Sequence, residues 1–379
     1  MEFNNAGAKL ENQKTLFANR LKRKLKELKK WARKNKISCY RIYDKDIPEI
    51  PVSLDLYEFL PDGTDSKAEA ARYTANLSER ISQNDPTVQN EISYNQYAVL
   101  YLYERPYEKD EKEEEIWFEE MANVAADVLG LQKNHIVKKE RKRQRGTSQY
   151  EKTEVTSNAC GVTQEAGQLF KLDLTSYLDT GLFFDHRPLR SKVREISAKK
   201  SVLNLFCYTG SFSVYAAEGG ARKVESVDLS NTYLSFAKDN MMLNGFSDSE
   251  KYIYTRCDCI EFLKEKAVSA KQGQLKEEDY YDLIILDPPT FSNSKNTYNV
   301  LDINKDWPQL VKDCLNILSP GGVLYFSTNS TKLVFDKSKL PQATISGKVI
   351  MVTDITEESI PKDFEGTKCH KAWELKIAK

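Results

Sequence analysis

The stretch that decides the fold is Val202-Leu203-Asn204-Leu205-Phe206, followed by Cys207-Tyr208-Thr209-Gly210-Ser211 and, after a helical run, by Val224-Glu225-Ser226-Val227-Asp228. An apolar segment, a turn with one glycine, a helix and a second apolar segment ending in a carboxylate predict a strand-helix-strand unit. Glycine at position 210 would let the backbone approach a ligand without a Cβ in the way. The sequence therefore predicts an α/β fold around this unit.

The residues of this turn also limit which class of ligand it can bind. A turn that binds a pyrophosphate would carry more glycines, as in GxGxxG, or a lysine after the loop, and this turn has neither. Asp228 ends the second predicted strand, where a carboxylate can accept both hydroxyls of a ribose. One glycine among threonine and serine suits S-adenosylmethionine, whose amino-acid tail needs polar contacts. The alternative is an ordinary strand-turn-helix of another α/β protein.

Length and composition exclude several classes of protein. At 379 residues the chain exceeds one typical core, so two domains are expected, and its 56 basic and 56 acidic side chains balance. Seven scattered cysteines without a CxxC pair fit a reducing cytoplasm. Three histidines without ligand spacing predict no metal site. No apolar run is long enough for a signal peptide or a membrane helix, so no membrane partner is expected.

Two stretches near the N-terminal side are strongly basic. A helix predicted over Thr15 to Lys36 has one apolar stripe, and Glu27 is the only acid on its opposite face. Residues 133–145 form the second basic run. Such one-signed surfaces indicate binding to a nucleic-acid backbone, and the alternatives are a helix packed on the next domain and a solvated charge run. We assign RNA contacts to Arg20, Lys24, Lys138, Lys139, Arg141 and Arg143.

Other elements follow from the spacing of apolar residues. The segments Cys39 to Tyr43, Pro51 to Phe59 and Tyr97 to Tyr103 predict an antiparallel sheet with one wet face. The polar insert Pro61 to Ser93 is expected to be a flexible excursion with one short helix. From about Ser201 onward strands and helices alternate, which predicts a doubly wound, mainly parallel sheet.

A second motif follows one of those strands. Asp287-Pro288-Pro289-Thr290-Phe291 comes after the predicted strand Asp282 to Leu286, at the edge where open α/β sheets bind ligands. The prolines stiffen the backbone, and Phe291 offers a ring on which a base can stack. The alternative, a proline-rich turn with a core phenylalanine, is weakened by the presence of Gly210 and Asp228 in the matching order.

Together these motifs resemble the class I S-adenosylmethionine-dependent methyltransferases. Within them the chain is similar to the ribosomal large-subunit RNA methyltransferases, specifically the guanine-N7 half (the K half) of the bifunctional K/L enzymes of 23S rRNA. The resemblance covers nearly the whole chain and is most specific in Tyr177 to Arg187, Asn204 to Gly210 and Asp287 to Lys295. The longer polar insert and the missing L-type half depart from it. That half is expected on another protein or on the rest of a longer chain.

The resemblance implies an organisation and a ligand. A basic helix (1–37) and an α+β RNA-binding domain (38–176) would precede the methyltransferase domain (177–379). The cofactor would be S-adenosylmethionine, and the substrate 23S rRNA or a large-subunit assembly intermediate. The residues expected to bind the cofactor are Asp185, Arg187, Phe206, Tyr208, Thr209, Gly210, Ser211, Asp228, Leu229, Asn240, Asp258, Cys259 and Asp287.

Three of these residues receive specific roles. Asp228 is expected to hold the ribose hydroxyls, and Asp258 to accept a hydrogen bond from the adenine amino group. The loop Asp179 to Arg187 is expected to fold over the methionine end, with Arg187 near its carboxylate.

The target base would be held by the second motif. We assign Asp287, Pro288 and Phe291 to the catalytic site, with Phe291 stacked on an extruded guanine. Backbone carbonyls near Pro288 and the side chains of Asn293 and Asn329 would bind the edge of the base.

The chemistry separates guanine N7 from cytosine C5. Methylation at C5 needs a cysteine that adds to the ring, and in the related C5 enzymes it follows the fifth strand. Here Val323 to Ser327 continues into Thr328-Asn329-Ser330 without one. Guanine N7 has a free lone pair and needs only placement. A non-catalytic RNA-binding or ribosome-assembly module remains an alternative, as does, more weakly, a small-molecule methyltransferase.

Overall fold

The computed structural model describes residues 2–104, 110–141, 159–293, 300–343, 347 and 349–378. The chain divides into two compact units, Met1–Phe184 and Asp185–Lys379. The division therefore falls inside the Asp179 to Arg187 segment, and the basic helix is part of the first unit. Within the described ranges, no helix combines the length and the apolar character that a bilayer crossing requires.

The first unit is built on a four-stranded sheet with two helices on one face. The strand order is β1 (Cys39–Asp44), β2 (Val52–Glu58), β3 (Gln96–Tyr103) and β4 (Ile136–Arg141), antiparallel except that β4 runs parallel to β3. The long helix α1 (Glu2–Lys34) buries Phe17, Leu21 and Leu28 in the same core as the sheet and α4 (Glu111–Leu129). The predicted strands are confirmed, and β4 is an additional strand within the basic run.

The expectation of one wet face is wrong for β2. Ser53 and Asp55 point away from the helices, yet their exposed fractions are only 0% and 4%. Asp55 pairs with the Arg41 guanidinium at 2.7 Å. The chain before Phe184 covers the Tyr57 end of this face, because the Tyr57 hydroxyl lies 3.0 Å from that of Thr180 and the rings of Tyr57 and Phe184 pack at 5.3 Å. A covering segment so distant in sequence leaves no trace in the alternation of β2.

The polar insert is more ordered than expected. It forms two helices, α2 (Lys67–Ser82) and α3 (Val88–Asn95), which share a small apolar cluster of Leu77, Val88 and Ile92. Arg80 links them, with nitrogens 2.8 Å from Asp85 and 2.7 Å from Glu91. The remaining strands of this unit, β5 (Cys160–Glu165) and β6 (Gln168–Asp173), form a hairpin.

The second unit contains the predicted doubly wound sheet. Its strands in chain order are β7 (Ser201–Leu205), β8 (Lys223–Asp228), β9 (Tyr252–Arg256), β10 (Tyr281–Leu286), β13 (Leu318–Thr328), β14 (Ile350–Asp354) and β15 (Lys371–Ile377). The order in space is β14-β15-β13-β10-β7-β8-β9, and β15 runs in the direction opposite to the other six strands. A short hairpin, β11 (Phe291–Asn293) and β12 (Val300–Asp302), follows β10.

Helices cover the sheet and fix where the site lies. They are α5 (Arg187–Ile196), α6 (Ser211–Glu218), α7 (Asn231–Leu243), α8 (Cys259–Lys271), α9 (Ile303–Asn316) and the short α10 (Thr356–Ser359). The central strands β7 and β10 are buried on both faces, as expected of a parallel sheet. The chain proceeds from β7 to β8 on one side and returns to β10 on the other. The loops after β7 and β10 therefore flank a crevice at the carboxyl ends of the strands.

Candidate functional site

The loop after β7 has an unusual backbone. Phe206, Tyr208 and Gly210 have φ values of 53°, 50° and 74°, in the left-handed region that residues with a Cβ rarely adopt. The Tyr208 amide donates to Asp228 Oδ2 at 3.0 Å, and the buried side-chain amide of Asn240 donates to the Thr209 carbonyl at 2.9 Å. Contacts from β8 and α7 thus hold the loop in a shape that its own residues disfavour.

Gly210 is required by packing. A Cβ built on it would lie 2.7 Å from the Cβ of Ala237 on α7, so any side chain would push the two helices apart. The absent side chain faces α7, which gives a reason for the glycine other than the clearance of a ligand. Ser211 follows it as the first residue of α6.

Asp228 is a half-buried carboxylate with unused acceptor capacity. Besides the Tyr208 bond, its Oδ1 accepts the Ser230 amide at 2.8 Å. Burial raises the pKa of Asp228 above its ordinary value. Each carboxylate oxygen has two lone pairs, so a vicinal diol such as that of a ribose can still donate to this group. The carbonyl of the next residue, Leu229, accepts a hydrogen bond from the Arg256 guanidinium at 3.4 Å.

Asp258 and Cys259 have structural duties at the start of α8. Asp258 caps the helix, because its Oδ1 accepts the Ile260 amide at 2.8 Å. The buried thiol of Cys259 accepts the Phe206 amide at 3.2 Å and so connects α8 with the loop after β7. Burial raises the pKa of Cys259 well above its ordinary value, which keeps it a thiol.

The donor set around the β7 loop fits S-adenosylmethionine. A polar loop without a phosphate cradle and a half-buried carboxylate with spare lone pairs lie at the ends of adjacent strands. The cofactor would supply the methyl group. Asp228 would bind the ribose, and the strained loop would fix the amino-acid tail.

Asp287 lies at the end of β10 in a network of its own. The Ser327 hydroxyl donates to Asp287 Oδ1 at 2.6 Å. Thr290 hydrogen-bonds Asn329, whose side chain is exposed, while Pro288 is buried. Phe291 is 55% exposed, which makes its ring available to a base. The side chain of Asn293 lies outside the described part of the chain.

Two histidines that the sequence did not assign join Asp185 and Asp287, and only His186 contacts Asp287 directly. His186 Nε2 is 3.4 Å from Asp287 Oδ1, and His186 Nδ1 is 3.4 Å from Asp185 Oδ1. His370 Nδ1 is 3.1 Å from Asp185 Oδ2, and its Nε2 is 2.8 Å from the Ser359 hydroxyl. We call Asp185, His186, Asp287 and His370 the carboxylate–imidazole cluster. All four belong to the second unit.

Charge dominates the behaviour of this cluster. Burial alone would lower the pKa of His186, but the carboxylates of Asp287 and Asp185 outweigh it and raise this pKa to about 10. Burial would raise the pKa of Asp185, but His186 and His370 hold it well below its ordinary value. The pKa of Asp287 is also lowered, because the His186 charge outweighs the effect of burial.

The cluster is poorly shaped for a metal ion. Asp185, His186 and His370 bring one ligand atom each within 4.8 Å of one another. The two imidazole rings are stacked, however, with centroids 4.5 Å apart and planes 15° apart. Their in-plane lone pairs therefore run side by side, while a metal ion needs them to converge. A ligand imidazole must also be neutral, and the two carboxylates favour protonation of His186.

Arg187 is committed to a partner within the second unit. Its guanidinium donates to Asp363 at 2.8 Å, and both side chains are almost completely buried. In the expected position, the Arg187 guanidinium would have to bind the methionine carboxylate and Asp363 at the same time. The structure therefore gives Arg187 a structural contact that the sequence did not indicate.

The predicted RNA-binding residues are mostly engaged within the first unit. Lys139 donates to the carbonyls of Tyr177 and Leu178, Arg141 lies 2.8 Å from Asp179, and Lys138 pairs with Glu119. Lys24 is half-buried, Arg20 lies 3.5 Å from Asp46, and Arg143 lies outside the described residues.

The outward surface of α1 is different. The exposed cations there that have no salt bridge within the described part of the chain include Lys22, Arg23, Lys26, Lys30 and Lys34. We call these residues the α1 basic face.

Comparison with known proteins identifies the family. The family of S-adenosylmethionine-dependent methyltransferases matches residues 95–349. The chain is 39% identical to the ribosomal RNA large subunit methyltransferase K of Neisseria meningitidis serogroup B, over 96% of this chain and 87% of that protein. It is 35% identical to the methyltransferase K/L of Magnetococcus marinus, over 96% of this chain but only 43% of that protein. The chain thus spans less than half the length of the K/L relative.

Solved structures agree with the fold. The protein SMU.776, described as a proposed methyltransferase and solved with SAH, matches with a TM-score of 0.63 at 21% identity, over 96% of this chain and 82% of that one. A proposed SAM-dependent methyltransferase from Streptococcus mutans matches with a TM-score of 0.64 at 20% identity, over 96% and 81%. The predicted class I fold is confirmed, and S-adenosylmethionine is the cofactor. The chain belongs to the S-adenosylmethionine-dependent methyltransferases, in the family of the ribosomal RNA large subunit methyltransferases K and K/L.

Proposed function

We propose that this protein transfers a methyl group from S-adenosylmethionine to N7 of a guanine in large-subunit ribosomal RNA. The relatives named for this RNA support the substrate class. The observation that carries the choice of N7 is the makeup of the two loops that flank the expected target. Asp287 to Phe291 and Thr328 to Ser330 offer carboxylate, hydroxyl, amide and aromatic groups, and neither contains a thiol.

The cysteine within the cofactor loop, Cys207, and the one that contacts it, Cys259, do not replace the missing nucleophile. Cys207 and Cys259 are buried, with exposed fractions of 5% and 3%. Burial raises the pKa of both thiols well above the ordinary value, so neither is held as the thiolate that C5 chemistry requires. N7 of guanine attacks the methyl group with its own lone pair and needs positioning only.

The described residues divide this work. The loop after β7 and Asp228 bind the methyl donor. Phe291, 55% exposed, stacks on the extruded base and sets its plane, which is worth about 1 to 3 kcal/mol. Asn329, bonded to Thr290, meets the edge of the base. The α1 basic face supplies affinity for phosphates, which is independent of sequence and weakened by salt.

The decisive experiment is transfer of a labelled methyl group to large-subunit RNA from cells that lack this protein. Reduction and aniline cleavage, which act at N7-methylguanine, should then cut the product at one nucleotide. Labelled 5-methylcytosine would contradict the choice of base, and RNA binding without transfer would indicate a non-catalytic module.

Two substitutions test the division of labour. Asp228→Ala should abolish detectable cofactor binding by calorimetry. Phe291→Ala should slow single-turnover transfer roughly tenfold or more, with RNA affinity nearly unchanged, because only one stacked base is affected. Tyr94→Ala removes an aromatic ring that is 72% exposed in the first unit and serves as the matched control. Normal turnover of the Phe291 variant would remove this residue from the proposal.

The relatives of greater length suggest a partner. An L-type methyltransferase half, on the same chain or another, would act on the same large-subunit RNA. Co-purification from cells, followed by mass spectrometry, tests this association.

A further inference from the structure

His186 is a buried titratable group that the proposed reaction does not use. Its exposed fraction is 5%, and its ring lies between two carboxylates. Neither ring nitrogen makes a hydrogen bond of good geometry within the described residues, but each lies 3.4 Å from a carboxylate oxygen. A buried cation held at this distance is costly to desolvate and requires a reason.

Asp287 is the group that gains from this cation. It belongs to the Asp-Pro-Pro-Thr-Phe loop, and its Oδ1 atom is shared between the Ser327 hydroxyl and His186. Without a neighbouring positive charge, burial and the like charge of Asp185 would both favour the neutral acid. An ionised carboxylate only accepts hydrogen bonds, whereas the neutral acid also donates one. The charge on the His186 imidazole therefore decides whether Asp287 can bind only donor groups on the edge of a base or acceptor groups as well.

Resting on the proposed function, we propose that His186 is a positioning residue, which keeps Asp287 an ionised acceptor oriented toward the amino edge of the target guanine. The N2 amino group lies on the opposite side of the base from N7. An acceptor at Asp287 that binds the amino edge would help to present N7 to the methyl donor. His186 thus acts on the base through Asp287 and touches neither the base nor the cofactor.

His370 provides a matched comparison. It stacks on His186 and contacts Asp185 and Ser359, and no contact with Asp287 is found among the described residues. The groups that face His186 are Asp185 on its own segment, Asp287 after β10, and His370 before β15, with Cys369 beside His370. Phe212 of α6 packs against the ring at 5.9 Å and carries no charge.

The first test is the pH dependence of single-turnover methyl transfer by the full chain. Wild type and His370→Gln should show no acid limb between about pH 6 and 8. His186→Gln should acquire an acid limb, because loss of the imidazolium raises the pKa of Asp287 in this variant. Below that pKa the rate should fall about tenfold per pH unit. A stability defect alone would lower all rates without creating this limb. An unchanged profile for His186→Gln, or the same new limb in both variants, would overturn the proposal.

The second test needs no substrate and covers the case in which His186→Gln does not fold. In the wild type, the stabilisation from protonated His186 is complete below its unfolded pKa of about 6.5. It is lost as pH rises through about 10. Asp287→Asn should move this alkaline loss of stability down by about one to three pH units. Asp336→Asn, on an exposed loop, should leave it in place.

The two tests separate the possible failures. If wild-type protein methylates no RNA while Asp287→Asn shifts the alkaline limb, the proposed function fails and the coupling of His186 to Asp287 stands. If methylation occurs and the limb does not move, the coupling is absent and the inference is overturned.

Discussion

The two basic stretches of the first unit read alike in sequence, but the structure uses their charges differently. On α1, exposed lysines and arginines lie opposite a buried stripe and make no salt bridge within the described residues. On β4, Lys139 and Arg141 point to one face, where the Tyr177 to Asp179 segment takes up their donors, and Lys138 points to the other, beside Glu119. A helix on a core has one face left over, whereas a strand places neighbouring side chains on opposite faces, and here both are used.

The difference shows that charge density in a sequence does not by itself locate a phosphate-binding surface. The relevant quantity is the charge that remains after internal partners are subtracted. By that measure the α1 basic face is the stronger candidate for RNA, and β4 is chiefly structural.

The largest expected effect comes from removing the α1 basic face. Replacing Lys22, Arg23, Lys26, Lys30 and Lys34 by glutamine should weaken RNA binding roughly five- to eightfold for each phosphate ion pair that is removed at about 0.1 M salt. The slope of log affinity against log salt should become less negative by about 0.7 to 0.9 for each such ion pair. Filter binding across a salt series measures both. Unaltered affinity would move the RNA surface elsewhere.

Arg141→Met should lower stability and leave RNA binding intact, the reverse of the change expected for the α1 basic face. It leaves the Asp179 carboxylate without its 2.8 Å partner and removes a guanidinium 4.6 Å from the Tyr101 ring. We expect a loss of about 1 to 3 kcal/mol in the free energy of unfolding, with RNA affinity retained. Arg23→Met is the matched control and should lose affinity without losing stability. Urea denaturation measures the stability of both variants, and filter binding measures their RNA affinity. An affinity loss in Arg141→Met, or a stability loss in Arg23→Met, would contradict the prediction.

Lys139 should give a pH signature. Burial lowers the pKa of Lys139 to about 8, so between pH 8 and the unfolded value near 10.5 the unfolded chain binds more protons. The stability of the wild type relative to Lys139→Met should therefore rise with pH across this window, by at most about 1.4 kcal/mol per pH unit. Thermal unfolding at several pH values measures it, and Lys112→Met, an exposed site, should give no such trend.

The smallest effect is expected at Lys138. Its pair with Glu119 is exposed on both sides, so Lys138→Ala should change the free energy of unfolding by no more than about 0.5 kcal/mol. The ammonium of Lys138 remains near the surface. If Lys138→Ala also lowers RNA affinity slightly, Lys138 on β4 is part of the RNA-binding surface. Glu119→Ala is the control, since it frees Lys138 and should raise affinity if the lysine meets RNA.

Much of the second unit could be predicted from the sequence because its signals are local. The apolar strands, the Gly210 turn and the carboxylate at Asp228 follow one another within a short span, and the structure places them as expected. The reason for Gly210 could not be predicted in the same way, because Ala237 contacts it only after α7 folds back.

The cluster around Asp287 was missed for a similar reason. His186 and His370 are far apart in sequence, and stacking brings them together only when β15 joins the sheet. In the first unit, the partners of Tyr57 and Arg141 both come from the segment before Phe184. Pairings over such distances are set by tertiary structure and leave no periodic signal.

The position of β15 has a consequence for synthesis. This strand follows β13 and β14 in the chain but lies between them in the sheet. Until the ribosome has made it, the edge of β13 stays open and β14 has no strand to pair with, a state prone to association with other chains. The arrival of β15 also brings His370 to Asp185. We therefore expect the nascent second unit to need protection until β15 has emerged, and its sheet and its carboxylate–imidazole cluster to be completed in one step.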